Sequence, residues 1–228
     1  MPRHFPVSGE ISGLHVSALP TTIENCSIAN TAFHNNSNVL PRRPNERLLI
    51  REIAIHRCEH FACYARGAIF EAVCVTDIRG GGMARSFLWG CAFHRTRLRG
   101  WISGVMFRWM VSPDDDVLSR QFLLANTKLH ESFDWALDIT EASFSFYQDL
   151  LGIPATKIRR DPQRHFVMTE ASAREFLNSN NHSIWHLSAK SLIESGLPDM
   201  VIVTGGAGRK LHLQLEEAWR LRDEGLLQ

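Results

Sequence analysis

The stretch from residue 105 to 164 organises the hydrophobic pattern of the chain, and apolar periodicity is weak before residue 46. Two apolar runs, Val105-Met106-Phe107 and Val117-Leu118 with Phe122-Leu123-Leu124, flank the polar stretch Ser112-Pro113-Asp114-Asp115-Asp116, which predicts strand, turn and strand. Each run carries one arginine, Arg108 and Arg120. A half-buried sheet face holds arginine either by snorkelling at an edge or because an anion meets it. From His130 onward, Phe133, Leu137, Phe144, Tyr147 and Leu151 share one helical face, while Asp134, Asp138, Glu141 and Gln148 lie off it. That spacing predicts a long amphipathic helix, ended by Gly152 and Pro154.

Weaker signals fill in the rest. Ile53-Ala54-Ile55 alternates as a strand does, residues 69–75 read as a strand or short helix, and residues 155–158 as a strand. Ser172-x-x-Glu175 reads as a capping box opening a short helix, and residues 184–193 as another helix. Asp199-Met200-Val201-Ile202-Val203 is apolar enough for a central strand, and Leu211, Leu215, Ala218 and Trp219 mark a terminal helix. Between them, the glycine-rich residues 204–209 could aim backbone N–H groups at an anion or serve as a close-packed turn. Residues 1–46 are rich in Ser, Asn, Pro and Thr and read as an extended or partly disordered arm, leaving 47–228 as a single domain.

Composition narrows this picture. The chain has 228 residues, 44% hydrophobic and 21% charged, with a formal net charge of +1, so its overall field gives no reason for tight non-specific nucleic-acid binding. The local cluster Arg85, His94, Arg95, Arg97, Arg99 and Arg108 reads as a solvated face. No apolar run reaches the ~18–20 residues of a membrane span, and no secretory leader is visible. With five cysteines, an odd number, a reducing cytoplasmic setting is expected. His56-x-Cys58-x-His60-x2-Cys63 offers zinc-ligand types, with Cys91 and His94 as candidates to complete a site. Strand neighbours alternate sides, so buried thiols and surface histidines are the simpler reading. Gly80-Gly81-Gly82 reads as a flexible loop.

Three elements carry a family resemblance: Phe107-Arg108-Trp109 with the return Arg120-Gln121-Phe122-Leu123; then Leu150-Leu151-Gly152-Ile153-Pro154 with Lys157, Arg159 and Arg164-His165-Phe166; then Gly205 followed four residues later by Arg209. In this order they resemble the catalytic core of a class II aminoacyl-tRNA synthetase, most closely prolyl-tRNA synthetase, over about half the chain. The resemblance implies an α+β fold, a mainly antiparallel sheet flanked by helices. It implies an ATP-dependent, amino-acid-activating ligase of protein biosynthesis using ATP and Mg2+. Arg108 would meet the α-phosphate, Phe122 would stack on adenine and Arg209 would hold the γ-phosphate, with Arg120 and Gly205 completing the ATP site. Thr76, His182 and His186 would serve the amino acid. Its partners would be ATP, an amino acid and tRNA or a carrier protein, and a homodimer fits the family. Carboxylate attack on the α-phosphorus builds charge that fixed guanidiniums stabilise, so no protein nucleophile is needed.

Met110 and Gln121 stand where the family has glutamates, and Leu124-Ala125-Asn126 where it has Trp-Gln-Glu. Methionine cannot ligate a hard cation. Two other expectations follow: a non-catalytic, tRNA- or partner-binding module, and an α/β nucleotide- or phosphosugar-binding domain built on residues 201–209. The last requires a parallel sheet with the strand at residues 199–203 in its centre.

Overall fold

The computed structural model describes residues 9–80, 85–179 and 183–228. Left-handed backbone recurs at every fifth position through Glu52, Arg57, Ala62, Gly67, Ala72 and Asp77, with φ between 49° and 60°. Each such residue turns the chain through a corner, so the chain winds in five-residue sides. The side chains one and three places after a corner face inward: Ile53 and Ile55, Cys63 and Ala65, Ala68 and Phe70, Val73 and Val75. Successive coils then stack in parallel register. Ile11, Phe33, His60 and Gly80 form one ladder. Tyr64, Phe87 and Met106 form the second, Ile23, Ile50, Phe70 and Phe93 the third, and Ile28, Ile55, Val75 and Leu98 the fourth. The result is a four-sided parallel β-solenoid, in which each coil buries its inner face only against its neighbours.

This corrects the expected mainly antiparallel, synthetase-like α+β core. The strands are mainly parallel, in an 11-stranded and a 5-stranded sheet that wrap the solenoid, and with the helices they make an α/β architecture. From Gly9 onward, residues read as an arm supply solenoid strands, including Thr21–Ala29 and Thr31–His34. The reading of residues 112–151 also changes. Val105–Arg108 is a strand as expected, but the aspartates open a helix, α1 (Asp116–Glu131). Asp115 Oδ1 accepts the Leu118 N–H at 2.9 Å, and Asp116 pairs with Arg120 one turn on. The stripe expected to be helical from His130 instead belongs to rungs: Leu137 stacks on Thr96 and Phe144 on Ile102.

Helix α1 takes the place of a strand on the third side. The strand Ala92–His94 would otherwise expose unpaired backbone groups along its edge. Asn126 donates to the Gly90 carbonyl at 3.1 Å, and His130 Nε2 accepts the Phe93 N–H at 3.4 Å. Asn126 is itself held by the buried Arg47, whose Nη1 donates to Asn126 Oδ1 at 2.6 Å and whose guanidinium lies 4.7 Å from the Phe122 ring centre. Burial lowers the Arg47 pKa to about 10.

A small antiparallel sheet closes the far end. Asp199–Val203 is its central strand, flanked by Gln148–Leu150 and His165–Thr169. Alternation splits its faces. Leu150, Val167, Val201 and Val203 join the solenoid core, while Phe166, Met168, Met200 and Ile202 pack on helices α2 (Glu170–Asn178), α3 (His186–Ser195) and α4 (Gly208–Asp223). The α2 capping box is built by Thr169 and Ser172, three residues before the pair expected from sequence. Because the central strand is antiparallel to both neighbours, the phosphosugar-domain reading of residues 201–209 falls.

A Cβ on Gly205 would lie 2.0 Å from the Phe146 carbonyl oxygen, a backbone atom that cannot swing away. Gly205→Ala is therefore expected to destabilise the fold by about 1–3 kcal/mol in urea unfolding. Ala72→Gly should raise stability by about 0.5–1 kcal/mol, since an L-residue in left-handed backbone costs roughly 1–2 kcal/mol and glycine returns about half of that as entropy. A loss on Ala72→Gly would contradict the corner geometry. Two buried histidines set an acid limit. Burial first, then Arg47 and Lys157, lower His130 to about 4, and burial with Arg164 lowers His165 to about 4. Both folded values lie below the unfolded one, so their stabilising effect is complete above pH ~6.5 and lost as pH falls toward 4, at roughly 3 kcal/mol each. His130→Gln, which keeps an acceptor for Phe93 N–H, should flatten that decline in thermal melts from pH 7 to 4; an unchanged slope would assign it elsewhere.

Candidate functional site: a cationic, aromatic cleft at the solenoid–cap junction

The last solenoid strands and the cap enclose a cleft of about 500 Å3. Three cations line it: Arg85 ahead of the strand Ser86–Trp89, Arg108 at the end of Val105–Arg108, and Lys210 in the first turn of α4. Trp89, Trp109, Phe146 and Tyr147 supply aromatic walls, and α3 adds Leu187, Ser188 and Ser191. Among the described residues, the one acidic side chain in the lining is Asp149, whose Oδ1 lies 3.7 Å from Arg108 Nη1. Three positive charges against one negative leave the cleft a site for an anion.

Its walls are fixed by neighbours. Gln148 Nε2 donates to the Val105 carbonyl at 3.0 Å, strapping the cap strand to the last strand of the solenoid's second side. The Tyr147 ring stands edge-on to the fully buried Trp185 at 5.4 Å. The Arg85 guanidinium lies 4.7 Å from the Phe146 ring centre, with Nη1 3.6 Å from Met106 Sδ. The Arg85 guanidinium thus sits over aromatic surface with donors to spare, the arrangement that holds a phosphate or carboxylate next to a flat ring.

Of the residues singled out from the sequence, Arg108 lies in this cleft. Arg209 is exposed on α4 and is not among the lining residues, although the adjacent Lys210 is. His186 is likewise exposed and one residue from the lining Leu187. Arg120 is exposed on α1 and paired with Asp116. Phe122 is fully buried beneath Arg47, which leaves no ring face for a base. Gly205 is buried, its N–H donating to Gln214 Oε1 at 2.9 Å. Thr76 is half-buried in the strand Cys74–Gly80. His182 lies outside the described residues, as do Gly81 and Gly82 of the glycine run. Sequence reading caught Arg85 only as part of a basic stretch and passed over Trp89, Phe146, Asp149 and Lys210. No local spacing joins them.

The cleft does not fit Mg2+. A hard cation takes about six oxygen ligands, and the single carboxylate in the lining is already paired with Arg108. The Cys/His run is likewise engaged in folding. His60 Nε2 donates to the Ser103 carbonyl at 2.7 Å while Nδ1 accepts from the Ser86 hydroxyl at 2.6 Å, which occupies both ring nitrogens. The Cys58, Cys63 and Cys91 thiols donate to the Ile28, Phe33 and Ala65 carbonyls, each one coil back. Burial pushes the Cys91 thiol up to about 12. Among the described residues no three His, Cys, Asp or Glu side chains are grouped to hold a metal ion.

A second cavity, of about 290 Å3, runs inside the solenoid. Among the described residues no helix is long and apolar enough to cross a membrane. Comparison with protein-family models, with curated proteins and with solved structures gave no match.

Proposed function

We propose that this chain is a non-catalytic binding module whose junction cleft takes a nucleotide, a phosphate group joined to a flat heterocycle. The observation that carries the reading is the convergence of Arg85, Arg108 and Lys210 with Trp89, Trp109 and Tyr147 in one cleft. Guanidinium–phosphate hydrogen bonds contribute about 1.5–3 kcal/mol each, and stacking of a base on an aromatic ring about 1–3 kcal/mol. Together these give a ligand that needs both parts. A cytoplasmic setting suits five cysteines that are all free thiols.

Amino-acid activation, the function implied by the synthetase resemblance, keeps less support. It draws on Arg108 alone, because Phe122 is buried and the cleft offers Mg2+ no set of oxygen ligands. Recognition of tRNA or of another phosphate-bearing partner would use the same cations.

Trp89 and Trp109 make the proposal measurable by fluorescence. ATP and ADP should quench saturably, with adenosine and inorganic triphosphate each at least tenfold weaker. Arg108→Ala or Lys210→Ala should weaken ATP at least tenfold, and Asp149→Asn should tighten it several-fold by releasing Arg108. No saturable response to any nucleotide at 5 mM, or unchanged affinity in both alanine variants, refutes the reading. Amino-acid-dependent pyrophosphate exchange would instead restore the ligase.

A further inference from the structure

We propose that the solenoid lumen is a binding site for one linear hydrocarbon chain, the acyl chain of a medium-chain fatty acid. The lumen is a cavity of about 290 Å3 bounded by side chains from every coil, from Val16 in the first to Phe107 in the last. Apolar cavities of ~150 Å3 stay dry and accept a benzene ring, so this one accommodates on the order of ten carbons. Five stacked coils spaced about 4.8 Å apart make a tube about 19 Å long, which favours a chain over a ring system.

The chemistry of the wall is equally restrictive. Ile50, Ile55, Phe70, Val75 and Leu88 face inward, yet each remains partly accessible, as side chains bordering unfilled space do. Most polar side chains in the lining are already committed to the protein. Asn36 donates to the Ile11 carbonyl, Asn38 to Val39 and Arg66, Thr96 to Phe70, and both His60 nitrogens are engaged. A polar ligand would bring hydrogen-bonding groups into a tube that cannot answer them. At the cap end the tube is blocked by Phe93 against Phe107, 5.8 Å between ring centres, with Leu150 and Val203 behind. At the first coil, Leu14 lines the cavity and is half-exposed, so among the described residues the tube meets solvent there. A chain with its head group at that mouth fills the lumen without burying a charge.

Calorimetric titration of the full chain with decanoic acid and with decan-1-ol tests this. Both should bind with one-to-one stoichiometry and raise the melting temperature, because the wall recognises the chain and not the head. Ala65→Phe and the milder Val75→Leu, which fill the tube, should weaken both probes, the first at least tenfold, while Arg120→Ala, on the exposed face of α1, leaves both unchanged. Absence of binding by either probe overturns the proposal. So does binding of decanoate without decanol, which would mark a cationic surface site, and so does unaltered affinity in whichever filling variant folds.

Discussion

Each side of the solenoid is five residues long because a left-handed residue ends it, and the rest of the structure answers to that constraint. Turning four corners per coil brings residues some twenty positions apart into parallel register, as Ala54 with Cys74 and Leu49 with Ile69. It also sends two side chains of every five inward, so the core is a set of ladders and not a packed layer. Glu52, Arg57, Ala62, Ala72 and Asp77 adopt this backbone without being glycine. Such residues hold it only when surrounding structure over-determines it, and here the stacked coils on either side do so.

A stack of coils has two ends, each an open sheet edge, and much of the chain's unusual chemistry lies where an edge is closed. On the third side, α1 replaces a strand and its side chains stand in for backbone partners: Asn126 for an N–H and His130 for a carbonyl. That substitution brings Arg47 inward with aromatic and amide partners. At the far end the antiparallel cap closes the tube with one face and carries its helices on the other. The cationic cleft is the seam left where the wall of parallel strands meets the three-stranded antiparallel sheet. Its residues come from both bodies, Trp89 and Arg108 from one and Asp149 and Lys210 from the other.

The resemblance to a class II synthetase rested on order and spacing of short motifs. Spacing survives a change of fold. The run from Arg120 to Leu123 lies on a helix, and Gly205 and Arg209 flank the entry to α4 beside an antiparallel strand. Similarly, the aspartates before Val117 are as suitable for a helix N-terminus as for a turn, and the seven-residue recurrence of Leu137, Phe144 and Leu151 matches helix geometry although these residues sit on rungs and turns.

What the sequence determined on its own were elements whose signal is local. The apolar strand Asp199–Val203, the terminal helix, the strand Val105–Arg108 and the alternation around Ile53 are all present, because burial pattern and backbone preference agree within a few residues. The five-residue winding was only partly legible: Asn25, Asn30 and Asn35, and Gly90 and Gly100, stand at corners and favour left-handed backbone, but Glu52, Arg57, Ala62 and Ala72 give no such sign, and a period of five lies outside both the helical and the strand repeat. Only the tertiary structure decided that strands stack in parallel, that Phe122 is core, and that residues 85, 108, 149 and 210 share a cleft. Those outcomes depend on which coil lies against which, a property of the whole stack that no window of neighbouring residues contains.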